Sequence, residues 1–490
     1  MKPTLFCIGI LSLAQILRAA DSFSGANPES LRGWPQWRGP LATGFAPNAD
    51  PPTTWSDDKN VKWKVKIPGE GNSTPIVWGD KIFILSAVNT GKKVEKKESA
   101  ENFRGNARPY GDGTNAEVKP PPAENTPPRE GRRPPGGPRG HGGFRGGPGG
   151  SGRGEAPSEI YQFTVFCIDR KTGGTLWQKI AREEVPHQGR QPNNTFASAS
   201  PVTDGQVVVT FFGSRGLHCY DMDGNLKWSK DFGKMQTKFG FGEGASPALH
   251  GDKVIVNWDD ETENDFIAAF DKNSGKELWK TPRNEETGWS TPLVVEHDKK
   301  FQVVVNATRK VRSYNFTDGK EIWSCGGQTP NAIPSPVADA NTVYCTSGFR
   351  GAALFAFALG KTGDLAGTDA VRWSYNKNTP YVPSPLLADG LVYVLKNTDG
   401  ALTCFDVKDG TKKFEAERLE GVNGVYASPV AAKDRVYVLG RNGVCVVLKK
   451  GTAEILATNK LSEHTDASLA LVGKEVFVRG SENLYCIAEK

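Results

Sequence analysis

Six cations are the residues of this 490-residue chain best placed to bind something. They are Arg215, Arg309, Lys310, Arg350, Lys396 and Arg441, each in a short polar hairpin between two apolar runs. Guanidinium and ammonium groups gathered around one opening would hold a carboxylate-rich ligand or an acidic partner. Taken singly, each is most simply a solvated hairpin residue. One acidic stretch, Asp259-Asp260-Glu261-Thr262-Glu263-Asn264-Asp265, supplies oxygen ligands. Asp259 and Asp260 are its candidates for holding Ca²⁺, although the spacing is not that of a known calcium loop. Trp258 and Trp289 offer flat faces that stack on sugar rings, with core packing the simpler use of both.

Other chemistries lack their residues. The six histidines (141, 187, 218, 250, 297 and 464) are scattered, with no H-x-x-x-H pair and no Cys/His cluster to hold zinc. No G-x-S-x-G elbow and no phosphate-cradling P-loop occurs.

The hairpins that carry the cations belong to a repeat. A small residue, a Ser or Thr, a Pro and then an apolar run recur at Ser73-Thr74-Pro75, Ala199-Ser200-Pro201, Ala245-Ser246-Pro247, Ser290-Thr291-Pro292, Pro334-Ser335-Pro336, Pro383-Ser384-Pro385 and Ala427-Ser428-Pro429. Ala467-Ser468-Leu469 is a degenerate eighth copy. From Pro201 onward the prolines are 46, 45, 44, 49 and 44 residues apart. That period is what one four-stranded propeller blade requires.

Within each repeat three strands lead to a Gly turn and then to a Trp. The pairs are Gly173 with Trp177, Gly224 with Trp228, Gly275 with Trp279 and Gly319 with Trp323. Phe414 and Ile455 hold the corresponding places in repeats six and seven, and Trp373 follows a longer turn in repeat five. The eighth repeat stops at Lys490 after three strands, and Val61-Lys62-Trp63-Lys64-Val65 supplies the missing one. The sequence therefore predicts an all-β, eight-bladed propeller of four-stranded antiparallel blades over residues 61–490, closed by its N-terminal strand. Trp63, Trp177, Trp228, Trp279, Trp323 and Trp373 are the expected plates between blades.

Three segments fall outside the repeat. Residues 1–20 have a positive start, an apolar stretch and small residues before Asp21, the pattern of a cleaved export signal. Residues 21–60 read as an extended segment. Residues 91–158 are a Pro-, Gly- and Arg-rich insertion in blade one, with 13 basic and 8 acidic residues, and this surplus of five accounts for most of the net charge of +6. Such a composition cannot offset its ordering entropy by burial and is expected to be disordered. Cys167, Cys404 and Cys445 lie six residues before their turn glycines, a register that predicts small, buried, unbridged thiols. A bridge between Cys325 and Cys345 is the one pairing left open.

Asp169-Arg170-Lys171-Thr172-Gly173-Gly174-Thr175-Leu176-Trp177 and Asp271-Lys272-Asn273-Ser274-Gly275-Lys276-Glu277-Leu278-Trp279 resemble the tryptophan-docking motif of the pyrroloquinoline-quinone-like (PQQ-like) propeller repeat family. Asp406-Val407-Lys408-Asp409-Gly410 is a weaker copy. Trp34-Pro35-Gln36-Trp37-Arg38-Gly39-Pro40 is similar to a signature seen before such propellers. Two branches matter. The quinoprotein dehydrogenase branch implies a quinone on the channel axis, a carboxylate base, Ca²⁺ and an adjacent Cys-Cys disulfide. Under it the basic hairpins would suit a multi-carboxylate cofactor and Asp259 or Asp260 the metal. The BamB-like branch implies a non-catalytic scaffold of outer-membrane protein assembly. The sequence has no Cys-Cys pair and no C-x-x-C-H haem site, and Cys7 lies too early to accept a lipid.

The expectation is thus an exported, non-enzymatic binding scaffold, periplasmic or extracellular and monomeric. Its partners would be proteins of the cell envelope rather than nucleic acid, and it would not be an integral membrane protein. The alternative is a PQQ- and Ca-dependent alcohol or sugar dehydrogenase.

Overall fold

A computed structural model describes residues 28–94, 155–396 and 400–489. Each repeat folds into one antiparallel sheet, and eight such sheets stand around a common axis as the blades of a propeller. Blade one is Ile76–Trp78, Lys81–Lys93, Glu159–Asp169 and Thr175–Glu184. Its second strand runs on to Lys93, paired with Glu159, so the insertion is flanked by an extended hairpin. Residues 1–27 and 95–154, on which the expected export signal and nearly all of the insertion fall, lie outside the described residues. Blade eight is Ala470–Val472, Glu475–Arg479 and Asn483–Ala488, completed by Val61–Lys66 from the other end of the chain.

The Ser/Thr-Pro signal has a single physical use. The amide of Thr74 donates to the hydroxyl of Ser200, Ser200 to Ser246, Ser246 to Thr291, Thr291 to Ser335, Ser335 to Ser384, Ser384 to Ser428 and Ser428 to Ser468, all at 2.8–3.1 Å. Each blade thus hands one buried N–H to the next blade's hydroxyl, in a ring around the axis. The hydroxyl of Thr74, which would complete the circle, meets no protein partner. At that seam Arg479 of blade eight reaches across, and its Nη1 donates to the Leu85 carbonyl of blade one at 2.7 Å.

At the rim the tryptophans dock. The indole N–H of Trp63 donates to Arg170 O (3.0 Å), Trp177 to Met222 O (3.2 Å), Trp228 to Lys272 O (2.9 Å), Trp279 to Phe316 O (3.1 Å) and Trp373 to Val407 O (3.2 Å). Each accepting carbonyl lies in the last turn of the following blade. Trp323 differs, because blade five has a longer turn, and it donates instead to Gln302 within its own blade. The turn glycines are the floor on which these rings lie. Gly275 has φ +70°, and a Cβ there would sit 2.7 Å from Trp228.

Register explains the small residues of the third strands. Cys167 pairs with Trp177, Cys219 with Trp228, Ala269 with Trp279, Ser313 with Trp323, Ala356 with Trp373 and Cys486 with Trp63. A bulky neighbour across the ladder would leave no room for the indole. The seven described cysteines are buried and unbridged, including Cys325 and Cys345.

Blade seven departs from the expected place of its plate. Gly451 sits earlier in a turn of the usual length, so Ile455 pairs with Leu448 and half-exposed Ala457 takes the place opposite Val447. Trp55, from the segment before the propeller, lies beside this blade instead. It is buried and stacked on Tyr437 with ring centroids 6.4 Å apart. Asn459 fixes it there, accepting from the Trp55 amide at 2.7 Å and donating to Thr53 O at 2.9 Å.

The same segment straps the channel. Trp34 exchanges two backbone hydrogen bonds with Val77, and Pro35 O accepts from Thr203 in blade two. Thr43 O and Gly44 O then accept from Leu387 and Ala431, in blades six and seven. Arg38 lies between these attachments, wholly buried, and its Nη2 donates to the carbonyls of Pro385 (2.9 Å) and Pro429 (3.0 Å). With no carboxylate beside it, burial lowers its pKa to about 9.

The hydroxyl ring makes a measurable claim. Ser384→Ala strands the Ser335 amide in a buried site and is expected to cost about 1–3 kcal/mol, read as a lower denaturation midpoint. Ser384→Thr keeps the acceptor, as Thr291, which accepts from Ser246, shows is tolerated, and is expected to cost clearly less. Equal losses for the two would mean that the hydrogen bond is not the reason for the residue.

Candidate functional site: the axial pit

The loops that enter each blade's first strand converge on the axis and enclose a cavity of about 540 Å³. Its lining follows the repeat. The residue just before each small-Ser/Thr-Pro signal faces the cavity, one per blade: Asn72, Ser198, Gly244, Trp289, Ile333, Val382, Tyr426 and Asp466. Trp37 of the strap also lines it, and the strap separates it from a second cavity of about 690 Å³ on the opposite side. Gln36, next in sequence to Trp37, lines that second space together with Trp78, His250 and His297. The channel is therefore divided by the N-terminal segment.

One corner of the pit is built from four loops, those entering blades two, seven and eight and the inner hairpin of blade seven. Arg441 Nε donates to Asp466 at 2.7 Å, and its Nη2 donates to Asn193 Oδ1 at 2.9 Å. The guanidinium lies over the Tyr426 ring, 4.2 Å from its centroid. Asn193 Nδ2 donates to the Tyr426 hydroxyl at 3.3 Å, and His464 Nε2 lies 2.9 Å from Asp466. The pairing with Asp466 raises the Arg441 pKa against the effect of its burial.

The six cations singled out by sequence meet different fates. Arg441 alone reaches the pit corner. Arg215 is turned inward, 5% exposed, between Glu184 (3.3 Å) and Glu243 (3.1 Å) and over the Phe163 ring. Lys310 pairs with Asp364 at 3.2 Å. Arg309 and Arg350 are exposed, and Arg350 lies over Phe349, which stacks on Tyr381. Lys396 ends the second strand of blade six, half-buried. Two further cations of this face are paired: Arg190 contacts Glu70 and Lys238 contacts Glu286. The structure does not gather the six into one basic ring.

The acidic loop is structural in its local partners. Asp259 and Arg283 are both fully buried and 2.7 Å apart, and Arg283 also donates to the Tyr314 hydroxyl at 2.6 Å. Asp260 accepts from the Thr262 amide. Asp265 accepts from the amides of Asp260 (2.6 Å) and Glu285 (3.1 Å). Burial, with Asp259 and Asp260 nearby, pushes Asp265 up to about 7. Among the described residues no group of three or more His, Cys, Asp or Glu side chains converges as a metal site would require. Trp258 is core, stacked on Phe266, whereas Trp289 lines the pit.

A family model described as outer membrane protein assembly factor BamB matches residues 162–416 and, in an overlapping second match, 263–490. The chain belongs to this BamB-like family of PQQ-like propeller repeats. No curated protein matches the sequence. Among solved structures, BamB from Moraxella catarrhalis is 16% identical, with 69% of this chain and 94% of that one covered and a TM-score of 0.49. Quinohemoprotein alcohol dehydrogenase from Comamonas testosteroni is 11% identical, covering 97% and 84%, with a TM-score of 0.57. A europium-containing methanol dehydrogenase is 10% identical, covering 94% and 98%, with a TM-score of 0.55. At these identities the dehydrogenases share the BamB-like chain's fold. Among its described residues no helix is long and apolar enough to cross a membrane.

The cofactor that the dehydrogenase likeness implies does not fit this pit. A multi-carboxylate quinone needs unpaired cations, and Arg441 is committed to Asp466 and Asn193. Ca²⁺ needs several oxygen ligands beside the quinone. Asp466 is the one carboxylate lining the pit, and Asp259 is spent on Arg283.

Asp265 predicts a pH dependence. Its folded-state pKa lies above the unfolded value of about 3.9. The folded chain therefore holds this proton more tightly, and stability present at pH 4 is lost as pH rises toward about 7. Asp260→Asn keeps an acceptor for Thr262 and removes a nearby negative charge. Its urea midpoint is expected to fall less between pH 5 and pH 7.5 than that of the parent chain. Identical slopes would remove the Asp260 charge as a cause of the raised Asp265 pKa.

Proposed function

We propose that this protein is a non-enzymatic binding scaffold, exported to the cell envelope, whose partners are proteins in outer-membrane assembly. The observation that carries the reading is the chemistry of the axial pit. Its lining is aromatic, aliphatic and amide, and its charged corner is internally neutralised, so it has binding surface without a reacting pair. The family match supports a scaffold, since its description is of an assembly factor. The export-signal pattern of residues 1–20 supports the location. Around the pit the same face offers Phe239, 55% exposed and held at φ +52°, together with Phe349 and Tyr381. Aromatic side chains of this kind anchor protein interfaces.

The dehydrogenase reading rests on fold likeness alone. The two readings separate in one experiment. The purified mature chain titrated with pyrroloquinoline quinone and Ca²⁺ is expected to show no saturable thermal shift and no dye-linked alcohol oxidation. A saturable shift with turnover would overturn the scaffold. A photo-crosslinking residue at Phe239, placed in the source cell, is expected to capture outer-membrane β-barrel polypeptides. Capture of none of them at this position or at Phe349 would sink the proposed partner class.

A further inference from the structure

The pit asks for a ligand of its own, smaller than a protein partner. Its volume of about 540 Å³ lies within the range of small-molecule sites, roughly 300–1,000 Å³. It is blind at its base, where Trp37 and the buried strap close the channel. A ligand must enter from the face and stop.

The lining selects by chemistry. Trp289 commits its indole N–H to the Gly242 carbonyl at 2.7 Å and is buried except where it lines the pit, so it offers an apolar wall. Trp37 and Tyr381 add two further aromatic surfaces, both half-exposed. Opposed to them is the corner of Asn193, Tyr426, Arg441 and Asp466. Its ion pair and hydrogen bonds hold planar donors and acceptors in fixed positions at no net charge. Neutral charge disfavours anions and cations alike, and aromatic faces beside fixed amide and carboxylate groups suit a molecule with apolar C–H faces edged by hydroxyls. Each such hydroxyl both donates and accepts. An extended polypeptide fits poorly. It would need free backbone groups along an open groove, and here the Ser/Thr amides at the pit's base are already consumed by the hydroxyl ring.

We propose that the axial pit binds the end of a neutral oligosaccharide, stacked on the half-exposed Trp37 at its base and hydrogen-bonded by the Asn193–Tyr426–Arg441–Asp466 corner. The site is independent of the protein-binding face reading, since Phe239 takes no part in it.

The test uses the mature full chain. A panel of neutral trisaccharides (cellotriose, maltotriose, mannotriose, xylotriose and triacetylchitotriose) is titrated by tryptophan fluorescence and calorimetry, with a proline-rich decapeptide as the competing class. At least one trisaccharide is expected to saturate. Asn193→Ala and Tyr426→Phe are each expected to weaken it by about tenfold, the scale of one lost hydrogen bond of about 1.4 kcal/mol. Both variants should keep the parent's thermal midpoint. Should Asn193→Ala unfold, Tyr426→Phe, which keeps the ring, decides alone. Saturation by none of the sugars up to 20 mM, binding untouched by both variants, or saturation by the peptide alone would each overturn the proposal. Loss of the sugar result with the Phe239 crosslinks intact would leave the scaffold reading standing.

Discussion

The fold depends on one repeated hydrogen bond, from the amide of a Ser or Thr in one blade to the hydroxyl of its counterpart in the next. Near the axis of a propeller the first strands crowd together and cannot pair edge to edge, so their flanking amides would be buried without partners. A hydroxyl of Ser or Thr size is the smallest acceptor a neighbouring blade can present there. A preceding small residue leaves room, and a following Pro has no N–H to satisfy. The signal that marks the repeat in the sequence is thus the solution to a burial problem at the centre. The tryptophans solve the matching problem at the rim, where the blades splay and need volume.

The fold was legible because both devices recur with the period of a blade. Seven proline-bearing signals and a row of Gly-to-Trp spacings are hard to misread, and Trp63 disclosed the closing strand. Blade seven was misplaced because Gly451 sits earlier in its turn than the other turn glycines do and its plate position is filled by Ala457. The stacking of Trp55 on Tyr437 joins residues far apart in the chain, and no local pattern reveals it. The family model matches from the third strand of blade one onward.

The site was less legible. Charge drew attention to Arg215 and Asp259, yet charge in a folded chain is first spent on partners, and both are buried in ion pairs. The pit is lined by residues of no shared chemistry: an amide, an indole, a phenol, a carboxylate and aliphatic groups. What they share is position, immediately before each Ser/Thr-Pro signal. Reading the repeat by register rather than by residue type would have found all eight. The role of Trp37 and Arg38 was hidden for another reason. A segment outside the repeat carries no periodic cue, and its place in the channel depends on attachments to blades two, six and seven at once.

The closing strand also fixes the order of events in the life of the chain. Val61–Lys66 is made first among the blade strands, and its partner Asn483–Ala488 is made last. A chain that emerges N-terminus first must therefore keep an unpaired strand of alternating apolar and lysine residues, the channel strap and Trp55 waiting through the synthesis of every other blade. During that interval the ring is an open arc with two raw edges, and the missing link at Thr74 lies where the arc finally shuts. Until Asn483–Ala488 is made, Val61–Lys66 has no native strand to pair with.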